Sequence, residues 1–556
     1  MNMKSFWWLA LAFTLLWIWL EWMQFTGQAA QKAQTTQSTS VETASEPAQN
    51  ARVPGGEDVP VAQSTIQEVP QAKEVIQSGQ RIQVKTDVLE IVIDTQGGDI
   101  RDVKLLQYAA TQDRDQPFHL MGDEGPMMYI AQNGIALPPK ATWPAPNHNA
   151  LYQASQSRYD MTGDILEVPL TWKKDGVEVT KIYRFKKGEY QIEVDMKVTN
   201  HTQSDWTGAL YSQLVRNTYD PDHNALMYTY TGPVLYNGHA ESKYVKHSFD
   251  DLQTKPVNNV PVEGGWAAMI QHYFMSAVIP SQQSQNIFYA RPKGTTGEYV
   301  TGVMEPMVTV EPGQTGDLKT ELYIGPIIQD KLEKIAPGLE LTVDYGVLTI
   351  IAEPIFWVLE KIHALVGNWG WSIILLTILI KLLFYKLSET SYRSMARLKK
   401  FQPKLQQLKE NYGDDKVIFQ QKLMKLYKEE KINPLGGCLP ILVQMPVFIA
   451  LYWVLLYSAE MRQAPWILWI QDLSAKDPYY ILPILMGISM WVQQKLNPSA
   501  MMDEMQQKVL KALPFIFTIF FMFFPAGLVL YWVVNNILSV AQQWYITKKI
   551  ESGEEK

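Results

Sequence analysis

Residues 350–547 hold long apolar runs rich in Trp, Phe, Leu, Ile and Met, whereas residues 27–340 are mostly polar. That segregation constrains the fold more than any average. Mean hydropathy is −0.13, close to that of a soluble protein, yet the late runs read as membrane spans. One of them is Trp371–Tyr385, which is apolar except for Ser372, Thr377 and Lys381. An ammonium deep in a bilayer costs about 2.5–3.5 kcal/mol, so such a residue faces a wet cavity or a partner. Near the end of a span it can instead snorkel to the lipid phosphates. Position alone leaves both open.

Five apolar segments follow from this pattern: about 369–387, 438–457, 479–495, 510–524 and 526–546. Pro525-Ala-Gly527 makes a tight turn between the last two. Ahead of them, Pro354–Val366 is apolar on one helical face and carries Glu360, Lys361 and His363 elsewhere. Too short to span, it reads as an interfacial helix within 341–368. A further apolar run, Phe6–Leu20, follows Lys4 and ends in Glu21, Trp22 and Phe25 without a small-residue cleavage site. It reads as an uncleaved signal-anchor over 1–26.

Charge sets the orientation. Twelve Lys and Arg residues lie between Lys386 and Lys431, so that segment is expected inside. The stretch from Ser458 to Tyr479 has only Arg462 and Lys476 against three acidic residues, and it carries Trp466 and Trp469. It is expected outside. Six spans with both termini in the cytoplasm satisfy every loop, with a short tail over 548–556.

Between the anchor and the clustered spans lie two different regions. Residues 27–80 are rich in Gln, Thr, Ser, Ala and Pro, too polar to bury a core, and read as a disordered tether. Residues 81–340 show period-two alternation at Ile82–Asp94, Asp164–Trp172, Val177–Phe185, Tyr190–Val198, Gln271–Pro280 and Thr320–Ile324. Turn residues separate these runs, which predicts a large antiparallel β-sandwich outside the membrane. Its seven histidines show no metal spacing, and the sequence contains no HExxH, G-x-S-x-G or P-loop string. A binding or scaffolding domain fits better than an enzyme, and no cofactor is expected. The single cysteine, Cys438, leaves no internal disulfide framework. A net charge of −7 argues against general nucleic-acid binding.

The basic segment 388–432 has helical periodicity. Leu398, Phe401, Leu405, Leu408 and Tyr412 are spaced 3-4-3-4, and Phe419, Leu423 and Leu426 resume after Gly413-Asp-Asp415. Two antiparallel helices, the first kinked at Pro403, would bury these stripes against each other. Such a hairpin can contact ribosomal RNA, anionic lipid or a targeting factor, or merely fix topology.

At this point the strings carry a resemblance. Asn433-Pro-Leu-Gly-Gly-Cys438, Gln444-Met-Pro446, Arg462-Gln-Ala-Pro465, Asp472-Leu-Ser474, Asp477–Gly487 and Phe524–Tyr531 resemble the YidC/Oxa/Alb membrane protein insertases, in their bacterial Gram-negative form. Thr86-Asp-Val-Leu89, Gly97-Gly98 and Leu341–Gly346 match outside the membrane core. The resemblance implies a multi-domain inner-membrane protein with a signal-anchor, a large periplasmic all-β sandwich of the mutarotase-like supersandwich type, a cytoplasmic helical hairpin and a five-span core over 369–547. It implies a polar groove, open to cytoplasm and lipid, with one positive residue. Here that residue is Lys381, where relatives usually have arginine; the charge is kept and the bidentate fork lost. Thr377, Gln444, Asn535 and Asn536 would line the groove, and Met445, Phe448 and Trp532 would contact the passing substrate helix. The polar residues also fit plain interhelical hydrogen bonds.

Implied partners are nascent membrane proteins, the Sec translocon with its accessory subunits, the ribosome and signal-recognition-particle pathway through the hairpin, and membrane lipid. No specific nucleic-acid sequence is implied. A transporter is a poorer fit, because the five spans show no inverted repeat. A membrane-anchored carbohydrate-binding protein would make the sandwich the essential part.

Overall fold

A computed structural model describes residues 79–111, 114–220, 229–238, 240, 243–412, 415–429, 439–496 and 504–552. The expected signal-anchor, nearly all of the tether and the Asn433–Cys438 string lie outside the described residues. Among those described, 79–343 and 344–552 form two compact units.

The first unit is all-β apart from short helices α1 (Phe249–Thr254) and α2 (Gln329–Leu332) and a one-turn segment at Leu339–Thr342. Two sheets, of eleven and nine strands, carry it. In the first, Trp206–Asn217 pairs with Tyr129–Ala136 and Glu298–Met304. In the second, Gln191–Asn200 pairs with Val177–Lys186 and Thr315–Pro326. Strand 177–186 buries every second residue until its last, as a half-covered sheet requires. The sheets face each other: Tyr129 of the first donates to the Met269 carbonyl of the second at 3.2 Å.

Three expectations need correction in detail. Residues 82–94 form two strands, Arg81–Lys85 and Leu89–Asp94. The Thr86 hydroxyl accepts from the Val88 and Leu89 amides and turns the chain between them. Residues 271–280 likewise straddle a turn at His272, whose φ is +46°, between Trp266–Gln271 and Phe274–Ile279. Nor is the pairing wholly antiparallel, since Arg81–Lys85 runs parallel to Arg158–Asp160.

Gly97 and Gly98 sit at φ +78° and +61° between two strands. Lys181, fully buried, donates from Nζ to the carbonyls of Gly97 at 2.7 Å and Asn133 at 2.8 Å. Buried charge is tolerated where acceptors surround it, so this lysine pins the glycine turn to the opposite sheet.

The second unit is helical: α3 (Thr349–Val366), α4 (Trp369–Leu383), α5 (Tyr385–Lys400), α6 (Gln402–Tyr412), α7 (Lys416–Glu429), α8 (Leu439–Tyr457), α9 (Ile481–Leu496), α10 (Glu504–Phe521) and α11 (Ala526–Glu551). Helix α11 is central, packing on α4, α5, α8 and α9, while α3 packs on α4 and α8. Among the described residues no single helix is long and apolar enough to cross a membrane, but α4 with Tyr385–Ser394 of α5 passes as a pair bent by 64°. The first expected segment, 369–387, therefore breaks at Phe384.

The expected hairpin seam is present in part. Leu405 and Tyr427 are buried together, with Phe401, Leu423 and Leu426 packed against them. Tyr412 instead is exposed. The break in the first arm falls at Phe401, two residues before Pro403, which sits in the first turn of the new helix, where its missing amide costs least.

Candidate functional site

Helix α4 begins on a well-built cap. The Asn368 side chain accepts from the Trp371 amide and donates to the Pro465 carbonyl at 3.1 Å. Close contact follows at Gly370, where a Cβ would lie 2.2 Å from Trp466 Cδ1. Leu375, Leu379, Leu382 and Leu383 are exposed along the helix, whereas Thr377 and Lys381 turn inward. Lys381, in the last turn, is only 8% exposed. A cation there is favoured by the negative end of the helix dipole.

Its Nζ donates to Ser539 Oγ on α11 at 2.7 Å. Ser539 Oγ in turn donates to the Asn535 carbonyl, one turn earlier, at 2.7 Å. Tyr392 of α5, also buried, interacts through its hydroxyl with the same serine. Thr377 is spent within its own helix, donating to the Ile373 carbonyl at 2.6 Å. Asn536 faces a different neighbour and donates to Ser489 of α9 at 3.0 Å.

Two turns before Ser539, about 10 Å along the axis, lies an aromatic cluster. Phe448 of α8 meets Trp532 edge to face at 4.5 Å between centroids, and Phe521 of α10 lies 5.2 Å from the same ring. Trp532 Nε1 is buried without a hydrogen-bond partner among the described residues. Gln444 and Met445 are half-buried on α8, where Pro446 removes one amide from the helix ladder.

The structure thus links Lys381 to Asn535 only through Ser539, whose hydroxyl bonds to the Asn535 carbonyl, and brings Phe448 to Trp532. Asn536 bonds to Ser489 and not to Lys381, and Thr377 is used locally. Sequence reasoning missed Ser539, Ser489 and Tyr392. A signal was available: Asn536, Ser539 and Gln543, all buried, recur at 3-4 spacing on one α-helix face.

The expected outer loop is a built element. Asp477, 1% exposed, accepts from Trp469 Nε1 and the Tyr479 amide at 3.0 Å each through Oδ1, and from the Leu482 amide at 2.7 Å through Oδ2. It thereby caps α9. Asp472 Oδ1 accepts from the Gln463 and Ser474 amides. The loop then holds α11: Ala526 donates to the Ala475 carbonyl at 2.7 Å and Gly527 to that of Leu473 at 2.9 Å. Met461, Ile470 and Leu473 are buried beneath it.

Comparison with known proteins covers both units. Residues 81–358 match the family described as YidC periplasmic domain, and residues 361–554 match the family described as 60Kd inner membrane protein. The membrane protein insertase YidC of Thioalkalivibrio sulfidiphilus is 48% identical over 565 residues, covering 100% of both chains. That of Stutzerimonas stutzeri is 49% identical over 545 residues, covering 96% of each. A crystal structure of an active YidC insertase with its first transmembrane domain resolved is 19% identical, covers 84% of this chain and 93% of that one, and has a TM-score of 0.39. A galactose mutarotase-like protein from Lactobacillus casei is 10% identical, covering 44% of this chain and 99% of that one, with a TM-score of 0.31. Those two scores are too low to define a shared fold.

Proposed function

The chain belongs to the YidC/Oxa/Alb family of membrane protein insertases, and from that premise we propose how it works. It is a membrane protein insertase whose substrates are newly made membrane proteins. Its reaction is the passage of a polar tail across the hydrocarbon while an apolar segment enters lipid. Each charged group in such a tail faces a barrier of several kcal/mol. A wet groove carrying a cation shortens the dry part of the crossing, and a tail carboxylate pairs with that cation on the way. Burial of the apolar segment, at about 25 cal/mol per Å², drives the step. Nucleotide hydrolysis has no part in it.

The observation that carries this reading is Lys381, nearly buried at the end of an otherwise apolar helix and held by a hydroxyl of the central helix. Its neighbours on α4 are exposed leucines, the surface that lipid would cover. Gln444 and Asn535 are the polar groups of the groove, and Met445, Phe448 and Trp532 its apolar contacts for the sliding segment. We place α6 and α7 in the cytoplasm, where their basic surface recruits ribosomes or targeting factors, and the β unit in the periplasm. Both termini are cytoplasmic, with a signal-anchor ahead of the tether, and the five-span core works alone or beside the Sec translocon.

Charge is what position 381 supplies. Lys381→Arg therefore keeps insertion, and Lys381→Ala lowers it about tenfold, the equivalent of about 1.4 kcal/mol, for substrates with acidic tails and much less for neutral ones. Insertion assays on a matched acidic and neutral pair measure this. Equal insertion of the pair by the alanine variant sinks the electrostatic role.

A further inference from the structure

Ser539 is a small residue on a long helix and carries no charge. Its geometry nevertheless gives it a task at Lys381, beside its contact with Tyr392. A hydroxyl has one proton and two lone pairs. The Ser539 proton is committed to the Asn535 carbonyl at 2.7 Å, so only lone pairs face the Lys381 ammonium, also at 2.7 Å. The contact is charge-assisted and shielded, since Ser539 is 3% exposed. Among the described residues it is the only hydrogen-bond partner of Lys381.

Lysine needs such a partner more than arginine does. Its four-carbon stem is flexible and its head strongly hydrated, whereas a guanidinium is a rigid fork that holds its own direction. Unrestrained, the ammonium would swing toward the nearest water or headgroup. We propose that Ser539 is the positioning residue for Lys381, fixing its ammonium with one of three N–H donors and leaving two for the carboxylate of an acidic substrate tail. This rests on the groove reading of Lys381.

The full chain, reconstituted in phospholipid vesicles, tests it with the same acidic and neutral substrates. Ser539→Ala lowers acidic-tail insertion about tenfold, near the low end of what a hydrogen bond to a charged group contributes, and spares the neutral tail. Ser539→Thr, which keeps the hydroxyl, restores it. Ser539→Ala combined with Lys381→Ala is no worse than Lys381→Ala alone, because the serine acts through the lysine. Ser539→Asp places a carboxylate on the ammonium and suppresses acidic tails at least as strongly as Lys381→Ala. Equal loss for both substrates in Ser539→Ala without rescue by threonine marks a packing role and overturns the proposal. Unchanged acidic-tail insertion in Ser539→Ala, beside an impaired Lys381→Ala, overturns it while leaving the groove reading intact. If Lys381→Ala is itself unimpaired, both fall.

Discussion

A single carboxyl group gives the β unit a testable pH dependence. Glu305 Oε1 is buried without a hydrogen-bond partner among the described residues, and burial pushes the side chain up from 4.5 to about 7. A raised carboxyl favours the neutral form in the fold, so its stabilisation is complete below 4.5 and is lost as pH rises through about 7. Asp99, also raised by burial, acts with the same sign. The β-sheet signal of the full chain in detergent should therefore melt at a higher temperature near about pH 5 than near about pH 8. Glu305→Gln should shrink that difference, and an unchanged difference refutes the assignment. Residues of this kind were not legible in the sequence, because a lone Glu says nothing of its burial. Lys381 was legible for the opposite reason: a charge inside an apolar run is already an anomaly. Ser539 is intermediate. Serine is common in apolar helices, and its meaning emerged only when α4 supplied the ammonium.

Elements tell a similar story of what pattern can and cannot carry. Strand 177–186 was legible because its alternation is unbroken, and the hairpin seam because Phe401, Leu405, Leu423 and Leu426 keep helical spacing. Strand ends were missed where side chains redirect the backbone, as Thr86 does, or where a residue takes a positive φ, as His272 does. The strings around Asp472 and Asp477 stood out only by resemblance. Their chemistry is that of capping, and it supports a prediction. Asp477→Ala removes three acceptor contacts, leaves the Leu482 amide at the head of α9 unsatisfied, and should cost about 1–3 kcal/mol. A lowered melting temperature in detergent, with a red-shifted emission from the freed Trp469, checks it. Asp477→Asn keeps an acceptor oxygen and should lose less. Indistinguishable melting of the alanine variant and the parent contradicts the capping account.

For the whole molecule, the proposed groove sets one requirement: admitting water from one side, it must not conduct. Large side chains are buried at the end of α8 (Leu455 and Leu456), at the end of α10 (Phe521) and in the loop (Ile470 and Leu473). In the proposed orientation these form the outer plug, and Gln444 and Asn535 lie inward of it. In a Cys438→Ser background, single cysteines at 444 and 535 should react with an impermeant thiol reagent from the cytoplasmic side only. Reaction from outside would mean a through-channel and would end the groove reading. The broad division into a β-rich and an apolar helical region was legible from composition alone. The crossing of α11 through the middle of its unit was not, since hydropathy ranks segments and says nothing about which one the others surround.

The backbone bonds from Ala526 and Gly527 to the loop before α9 carry a consequence for biogenesis. Both acceptors belong to chain that leaves the ribosome before either donor does. Helix α11 therefore emerges after both acceptors of its first turn have been made, and those two bonds set the register of its polar stripe against Lys381 from the far end. A protein that inserts others thus carries, in a loop made earlier, the acceptors that anchor the start of its own central helix.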